Sequence, residues 1–318
     1  MLNKNIINEF KNKVLSGKLI IKEEALLLIN EDCDELCNAS NEIRKHYCGK
    51  DFDLCSVISG RIGRCSEDCK FCAQSGHYNG ECKVQSMISY EDFKEDAISN
   101  FNKGINRYGV VSAGKRITDT EVDMLCDSYS KLKKECDIAI CGYGGILPYD
   151  QILKLKNAGV TRYHNNLETS RRVFKTVCTT HTYDEKLRTL KYAKKAGLEI
   201  CSGVLLGIGE NIMDRIEMAF DLQMLDVDSV PINILQPKKG TPFEDAEKLP
   251  YEEILKTIAI FRFILPKAQI RLAAGRLNLP DGGKKCFMSG ANAAISGNMI
   301  TINGIDPEED ISVLKNFE

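Results

Sequence analysis

The run Leu54-Cys55-Ser56-Val57-Ile58-Ser59 leads, after a short loop, into Cys65-Ser66-Glu67-Asp68-Cys69-Lys70-Phe71-Cys72. The first part is short, apolar and β-branched, the pattern of a buried strand. The second sets three cysteines on the loop that follows. Seven more such runs recur downstream: Arg107–Ser112, Ile138–Gly142, Arg162–Asn166, Glu199–Leu206, Ser229–Leu235, Ile270–Ala273 and Ala291–Ile295. Charged, helix-periodic stretches separate them. One spans Tyr183 to Ala196, with Leu187, Leu190, Tyr192, Ala193 and Ala196 as apolar positions and Gly197 as its C-cap. Strictly alternating β and α elements imply a parallel sheet. Eight strands at this length predict a closed (β/α)8 TIM-type barrel, with an open doubly wound sheet as the alternative.

Residues 1–50 read instead as an N-terminal helical extension, with Leu19, Ile20 and the run Ala25–Ile29 supplying apolar faces. No low-complexity linker interrupts 51–318, which is expected to form a single catalytic barrel domain. In either architecture the chemistry belongs at the carboxyl ends of the strands.

The chain has 318 residues and a net charge of −2, with both signs interspersed. This balance gives no electrostatic reason for a nucleic-acid or anionic-membrane partner. No apolar run approaches the ~18 residues that span a bilayer, and the N-terminus has no signal-peptide core, so the expected location is cytoplasmic. Fourteen cysteines is a high count, in a chain far too long to be a disulfide-stapled mini-domain. In a reducing compartment surplus thiols are buried small hydrophobes or metal ligands. Their sensitivity to air points to an anaerobic or well-reduced setting.

The array Cys65-x3-Cys69-x2-Cys72 is expected by chance only about 0.03 times in such a chain. Three thiolates on one loop suit three corners of a [4Fe–4S] cube and leave the fourth iron open to a substrate. A structural zinc site would need a fourth ligand, and His77 is the only imidazole nearby in sequence.

With an aromatic residue before its last cysteine, this array resembles the radical S-adenosylmethionine superfamily. The resemblance implies that the methionyl amine and carboxylate chelate the open iron. One electron then cleaves the sulfonium to release a 5′-deoxyadenosyl radical. It places Phe71 beside the adenine.

Further stretches resemble the biotin synthases specifically. They are Cys201-Ser202-Gly203 with Gly207-Ile208-Gly209-Glu210, then Ser229-Val230-Pro231-Ile232-Asn233, then Lys239-Gly240-Thr241-Pro242. Ile270-Arg271-Leu272-Ala273-Ala274-Gly275-Arg276 and Cys286-Phe287-Met288-Ser289-Gly290-Ala291-Asn292 complete the set. The likeness covers roughly residues 50 to 312. It implies sulfur insertion into dethiobiotin, with a second, auxiliary cluster, [2Fe–2S] in the family, as the sulfur donor. It also implies a low-potential electron donor of flavodoxin or ferredoxin type, a homodimer, and no catalytic side chain beyond the clusters.

The family holds its auxiliary cluster with three cysteines and an arginine. Cys141, Cys201 and Arg271 match three of those positions. The fourth does not match: the family cysteine on the second strand is Gly109 here, which cannot bind iron. Cys55, on the neighbouring first strand where the family has a serine, is expected to replace it and alter the cluster. The resemblance further assigns Ser112 and Ala113 to the methionyl amine and Lys186, where the family has arginine, to the methionyl carboxylate. Gly203, Leu205 and Gly207 fall to the glycine-rich turn beside the adenine. Asn166 and Asn233 fall to the ureido ring, since an amide both donates and accepts. His164 shares a strand face with Asn166 and Glu168 by the period of two and joins the substrate side, although a core histidine would read the same way.

The other cysteines have no motif. Cys33-x3-Cys37 is normal helical core spacing and is not expected to hold a third cluster. Alternatives from the same branch are a hydrogenase-cluster maturase or a methylornithine synthase, neither of which needs Cys201 or Arg271. A non-catalytic iron–sulfur carrier would need no adenine- and methionine-binding loops.

Overall fold

The computed structural model describes residues 6–50, 52–297 and 304–315. Nine parallel strands form one sheet: β1 (Asp53–Ser59), β2 (Arg107–Val111), β3 (Ala139–Gly142), β4 (Val160–His164), β5 (Glu199–Cys201), β6 (Val204–Leu206), β7 (Ser229–Ile234), β8 (Gln269–Leu272) and β9 (Ala293–Ile295). The order is β5-β4-β3-β2-β1-β9-β8-β7-β6, and an added pairing of Cys201 with Ser229 joins β5 to β7. The sheet therefore closes on itself. β5 and β6 are two halves of one stave, so the barrel has the eight staves expected, and the open doubly wound alternative is excluded.

The broken stave departs from the single strand Glu199–Leu206. Gly203 sits so close to Pro231 that a Cβ there would overlap the Pro231 carbonyl. The chain therefore steps aside at Ser202-Gly203 and resumes pairing at Val204, opposite Ile232. Another departure concerns β4, which starts and ends two residues earlier than expected, leaving Asn166 in the following loop.

Helices alternate with the staves as the caps dictate. α1 (Ile6–Leu15), α2 (Lys22–Leu27) and α3 (Cys33–Cys48) precede the barrel. Asp32 caps α3 by accepting from Glu35 N at 2.9 Å, and the buried face of α3, with Leu36, Cys37 and Ile43, shares one apolar core with the barrel. Cys33 Sγ lies 3.9 Å from Cys37 Sγ on this packed helix. Around the barrel run α4 (Tyr90–Asn102), α5 (Asp119–Glu135), α6 (Tyr149–Asn157), α7 (Arg171–Val177), α8 (Tyr183–Lys195), α9 (Ile212–Met224) and α10 (Tyr251–Ile264), with short α11 (Lys284–Met288) and α12 (Pro307–Leu314) near the end.

The boxes Thr118/Glu121, Thr182/Glu185 and Asn211/Asp214 start α5, α8 and α9, each satisfying two otherwise orphaned N–H groups. α8 buries Tyr183, Lys186, Thr189, Leu190 and Ala193, and Gly197 follows it with φ of 77°. No helix among the described residues is long and apolar enough to cross a membrane.

Candidate functional site

The loop after β1 carries the three motif cysteines, all partly buried. It is held from within: Cys65 N donates to Gln74 O at 2.9 Å, Cys72 N to Cys69 O at 3.0 Å, and Ser75 Oγ to Glu67 O at 2.7 Å. Gly114 N donates to Cys65 Sγ at 3.2 Å, a bond that favours a thiolate. Burial pushes the Cys65 thiol up, and Cys72 is raised to about 11 for the same reason. Such thiols ionise when a metal supplies the compensating charge.

These cysteines line a cavity of about 170 Å³ together with Phe71, Ser112, Ala113, Lys186 and Glu168. Two observations test it against S-adenosylmethionine. Ser112 Oγ, at the position expected for the methionyl amine, is buried with no hydrogen-bond partner among the described residues. Lys186, which on a helix could have been a solvated charge, is 7% exposed; its Nζ donates to Asn166 O at 2.8 Å and Asn165 Oδ1 at 3.1 Å. A buried ammonium with no ion-paired carboxylate among the described residues suits a ligand carboxylate.

Adjoining is a cavity of about 220 Å³ lined by Phe71, Leu205, Leu235, Asn166 and Asn233. Phe71 packs on the cluster of Leu205, Leu235, Val173, Val177 and Ile208. This is an apolar slot suited to a flat ring. Gly207 lies behind it with φ of 94°, at a turn fixed by Glu210, which accepts from Gly207 N and Ile208 N, both at 2.8 Å. Its part is the turn. Asn233 gives Nδ2 to Val204 O at 3.1 Å and takes Ala274 N at 3.2 Å; Asn166 Oδ1 accepts from Gly203 N at 3.0 Å.

The third cavity, about 260 Å³, lies inside the barrel, and Asn166, Glu168 and Tyr143 are among the residues that connect it to the others. Cys55, Cys141, Cys201 and Arg271 all line it. The register explains how. Gly109 stands opposite Cys141 on one side and Val57 on the other, so Cys55 lies two residues below the missing ligand and faces the same way.

Arg107 and Arg162 also line this cavity. Three guanidiniums thus surround three thiols; Asp53 lies 2.7 Å from Arg271, Glu199 lies 2.8 Å from Arg162 and 3.2 Å from Arg107, and a third carboxyl, that of Glu168, lines the cavity itself and is raised by burial. Guanidiniums placed beside the thiols suit a thiolate-rich cluster. Arg271, 1% exposed, also donates to Asp53 O at 3.0 Å and Ala294 O at 2.8 Å. Although burial works against its charge, Cys55, Asp53 and Cys201 hold it firmly protonated. Burial pushes Cys141 up to about 12 and raises Cys55. Cys201 goes the other way. Burial opposes its thiolate, but His164, whose Nδ1 lies 3.2 Å from Cys201 Sγ, together with Arg162 and Arg271 brings it down to about 7.

The structure adds residues that sequence reading missed. Arg162 belongs to the same period-two face as His164, so its signal was present. Glu168, half-buried, sits at φ of 69° in an isolated bridge to Val204, held by Leu205 N donating to its carbonyl at 2.7 Å. Burial raises its carboxyl, against the charges of Lys186 and His164. Tyr143 follows Cys141 at the same period of two, so its signal was present as well, and Cys178-x2-His181 was legible only as a spacing.

Comparison with known proteins agrees with this geometry. Residues 61–222 match the radical SAM superfamily and residues 231–318 the biotin and thiamin synthesis associated domain. The chain is 52% identical over 311 residues to a biotin synthase of Clostridium botulinum, covering 98% of each chain. It is 48% identical over 310 residues to one of Akkermansia muciniphila, covering 98% of this chain and 97% of that one. Among solved structures, a methylornithine synthase superposes with a TM-score of 0.83 at 21% identity, covering 97% of this chain and 95% of its own. The FeFe-hydrogenase maturase HydG of Carboxydothermus hydrogenoformans gives 0.83 at 18%, covering 98% and 78%. These two share the fold. The end-to-end relatives share far more, and the chain belongs to the biotin synthase family of radical S-adenosylmethionine enzymes.

Proposed function

We propose that this chain inserts sulfur between two unactivated carbons of dethiobiotin, drawing it from a cluster held inside its own barrel. The observation that carries the reading is the adjacency of two thiol-lined cavities. Cys65, Cys69 and Cys72 line one; Cys55, Cys141, Cys201 and Arg271 line the other, and Tyr143 and Glu168 belong to both. When bound, a [4Fe–4S] cluster with S-adenosylmethionine supplies radical hydrogen abstraction, and an auxiliary cluster supplies sulfur.

The protein's own part is to bind, orient and exclude water. Cys65, Cys69 and Cys72 would hold three irons. Lys186 would take the methionyl carboxylate as a point charge without the bidentate fork of an arginine, with Ser112 and Ala113 at the amine. Phe71 and Leu205 would sandwich the adenine, while Gly203 and Gly207 keep the loops beside it low. Asn166 and Asn233, with His164 deeper in the barrel, would frame the ureido ring. Cys55 would stand in for the ligand lost at Gly109, with Arg271 completing the set. Because Cys55 lies a layer lower, the auxiliary cluster is expected to differ in nuclearity from the family's [2Fe–2S].

A low-potential donor of flavodoxin or ferredoxin type would deliver the electron, and the enzyme would work as a cytoplasmic homodimer. The test is strictly anaerobic incubation of iron-reconstituted protein with S-adenosylmethionine, dethiobiotin and a low-potential reductant. Biotin together with 5′-deoxyadenosine in the mass spectrum supports the reading. Deoxyadenosine without biotin would move the maturase-like and methylornithine-synthase-like activities to the front.

A further inference from the structure

Beyond α7 the chain runs Cys178-Thr179-Thr180-His181 and folds back onto the motif loop. Thr179 N and Thr180 N donate to Asp68 Oδ1 at 2.8 and 3.1 Å, Thr180 Oγ1 donates to Glu67 Oε2 at 2.8 Å, and Lys70 N donates to Val177 O at 2.9 Å. This clamp brings Cys178 Sγ to 3.7 Å from Cys69 Sγ. His181 stands on the other side, with Nδ1 at 3.3 Å and Nε2 at 3.8 Å from Cys178 Sγ. One donor atom each from Cys69, Cys178 and His181 fall within 4.8 Å of one another. Cys178 and His181 are buried, at 4% and 7% exposure. Nothing in the proposed reaction uses either of them.

The separations of Cys178 Sγ from Cys69 Sγ, 3.7 Å, and from His181 Nε2, 3.8 Å, fit a single tetrahedral ion. Zinc bonds of about 2.3 Å to sulfur and 2.0–2.1 Å to nitrogen place two sulfurs about 3.8 Å apart and sulfur and nitrogen about 3.6 Å apart. A cube gives each thiolate its own iron and so spreads them farther. His181 Nδ1 lies 2.6 Å from Glu67 Oε2, which also accepts from Thr180. A carboxylate on one ring nitrogen fixes the tautomer and leaves the other nitrogen's lone pair for a metal, the arrangement that supports most histidine ligands. The sequence neighbour His77 is not involved; its Nε2 lies 3.0 Å from Ser66 O.

We propose that Cys69, Cys178 and His181 form a site for a thiophilic divalent cation of the zinc type, oriented by Glu67, with solvent in the fourth position. Cys69 belongs both to this site and to the cube, so the two metal states exclude one another. Zinc held here blocks assembly of the cluster that needs Cys69. This inference stands apart from the identity of the substrate.

The test uses the full chain, stripped of metal by an anaerobic chelator, and titrated with Co(II) as a spectroscopic probe and then with Zn(II). Beyond any ion taken up by the thiols inside the barrel, one ion per chain that depends on Cys178 and His181 is expected, with thiolate-to-cobalt charge transfer from two sulfurs. The double variant C65A/C72A keeps this site. C178A and H181A each weaken binding at least tenfold, while C178A, which retains all three motif cysteines, still takes up the cube. Zinc added before iron and sulfide suppresses the cube in the parent chain and leaves its assembly in C178A unaffected. Binding that survives C178A and H181A but vanishes in C65A/C72A would put the ion on the motif loop alone and overturn the proposal. So would cube assembly in the parent chain that is indifferent to zinc.

Discussion

At residue scale the account turns on Cys55 and Gly109. A Cβ built on Gly109 would lie 3.2 Å from the Cys141 carbonyl oxygen, tighter than ordinary packing allows. Cys55 faces the same cavity with its thiol raised by burial and surrounded by arginines. Cys55→Ala is therefore predicted to lose the auxiliary iron and sulfide while still cleaving S-adenosylmethionine, read by metal analysis beside 5′-deoxyadenosine formation. Adding Gly109→Cys to that variant should not restore the cluster. Full auxiliary iron in Cys55→Ala would sink the assignment.

Cys201 makes a second prediction. In the metal-free chain one thiolate should titrate at about 7 by ultraviolet absorbance, below the ordinary thiol value of 9.0. A depressed thiol contributes stability that is fully present above the unfolded value and is lost as pH falls through the folded one, here from about 9 down through 7. His164→Gln should move the titration back upward; an unchanged curve would separate His164 from Cys201. The residue types of this cavity were readable where a resemblance or a strand period marked them. The burial of Lys186, the role of Arg107 and the convergence of His181 on Cys69 depend on which faces the folded helices and loops turn inward, and no local pattern encodes that.

At the scale of elements, the stave split between β5 and β6 governs the site. Its break admits Gly203 beside Pro231, and Asn166 and Glu168 bond to the two freed ends. The turn after β6 hangs on Glu210, which is fully buried and paired with the equally buried Arg215 at 2.8 Å. Removing Glu210 would leave Arg215 only the half-exposed Glu253, 2.7 Å away, and would strip the Gly207 and Ile208 N–H groups of their acceptor. Glu210→Ala is predicted to cost about 3–5 kcal/mol in chemical denaturation and to weaken S-adenosylmethionine binding. A loss under about 1 kcal/mol, the range of an exposed pair, would contradict that. All eight staves were legible, because short β-branched runs between capped helices specify them locally. The break at Ser202-Gly203 was not, since it arises from a steric clash with a strand about thirty residues away. The early end of β4 was hidden likewise: Asn165 N donates to Cys201 O at 3.0 Å, so the edge that Asn165 and Asn166 present is set by the neighbouring strand rather than by their own sequence.

For the whole molecule, closure of the sheet encloses three adjoining cavities at one end of a packed core. The barrel fold itself is shared with the methylornithine synthase and the hydrogenase maturase. Architecture alone therefore does not decide the reaction. The feature of this chain that bears on the reaction is the ring of cysteines and arginines lining the cavity within the barrel. The account's central claim is that this ring holds the sulfur that ends up in the product. The most direct measurement is to rebuild the clusters with isotopically heavy sulfide, remove the excess, and run one turnover with dethiobiotin, S-adenosylmethionine and unlabelled sulfide in solution. The account predicts heavy sulfur in the biotin, in step with loss of the auxiliary cluster's absorbance and with 5′-deoxyadenosine formation. Biotin carrying only the unlabelled sulfur would contradict it.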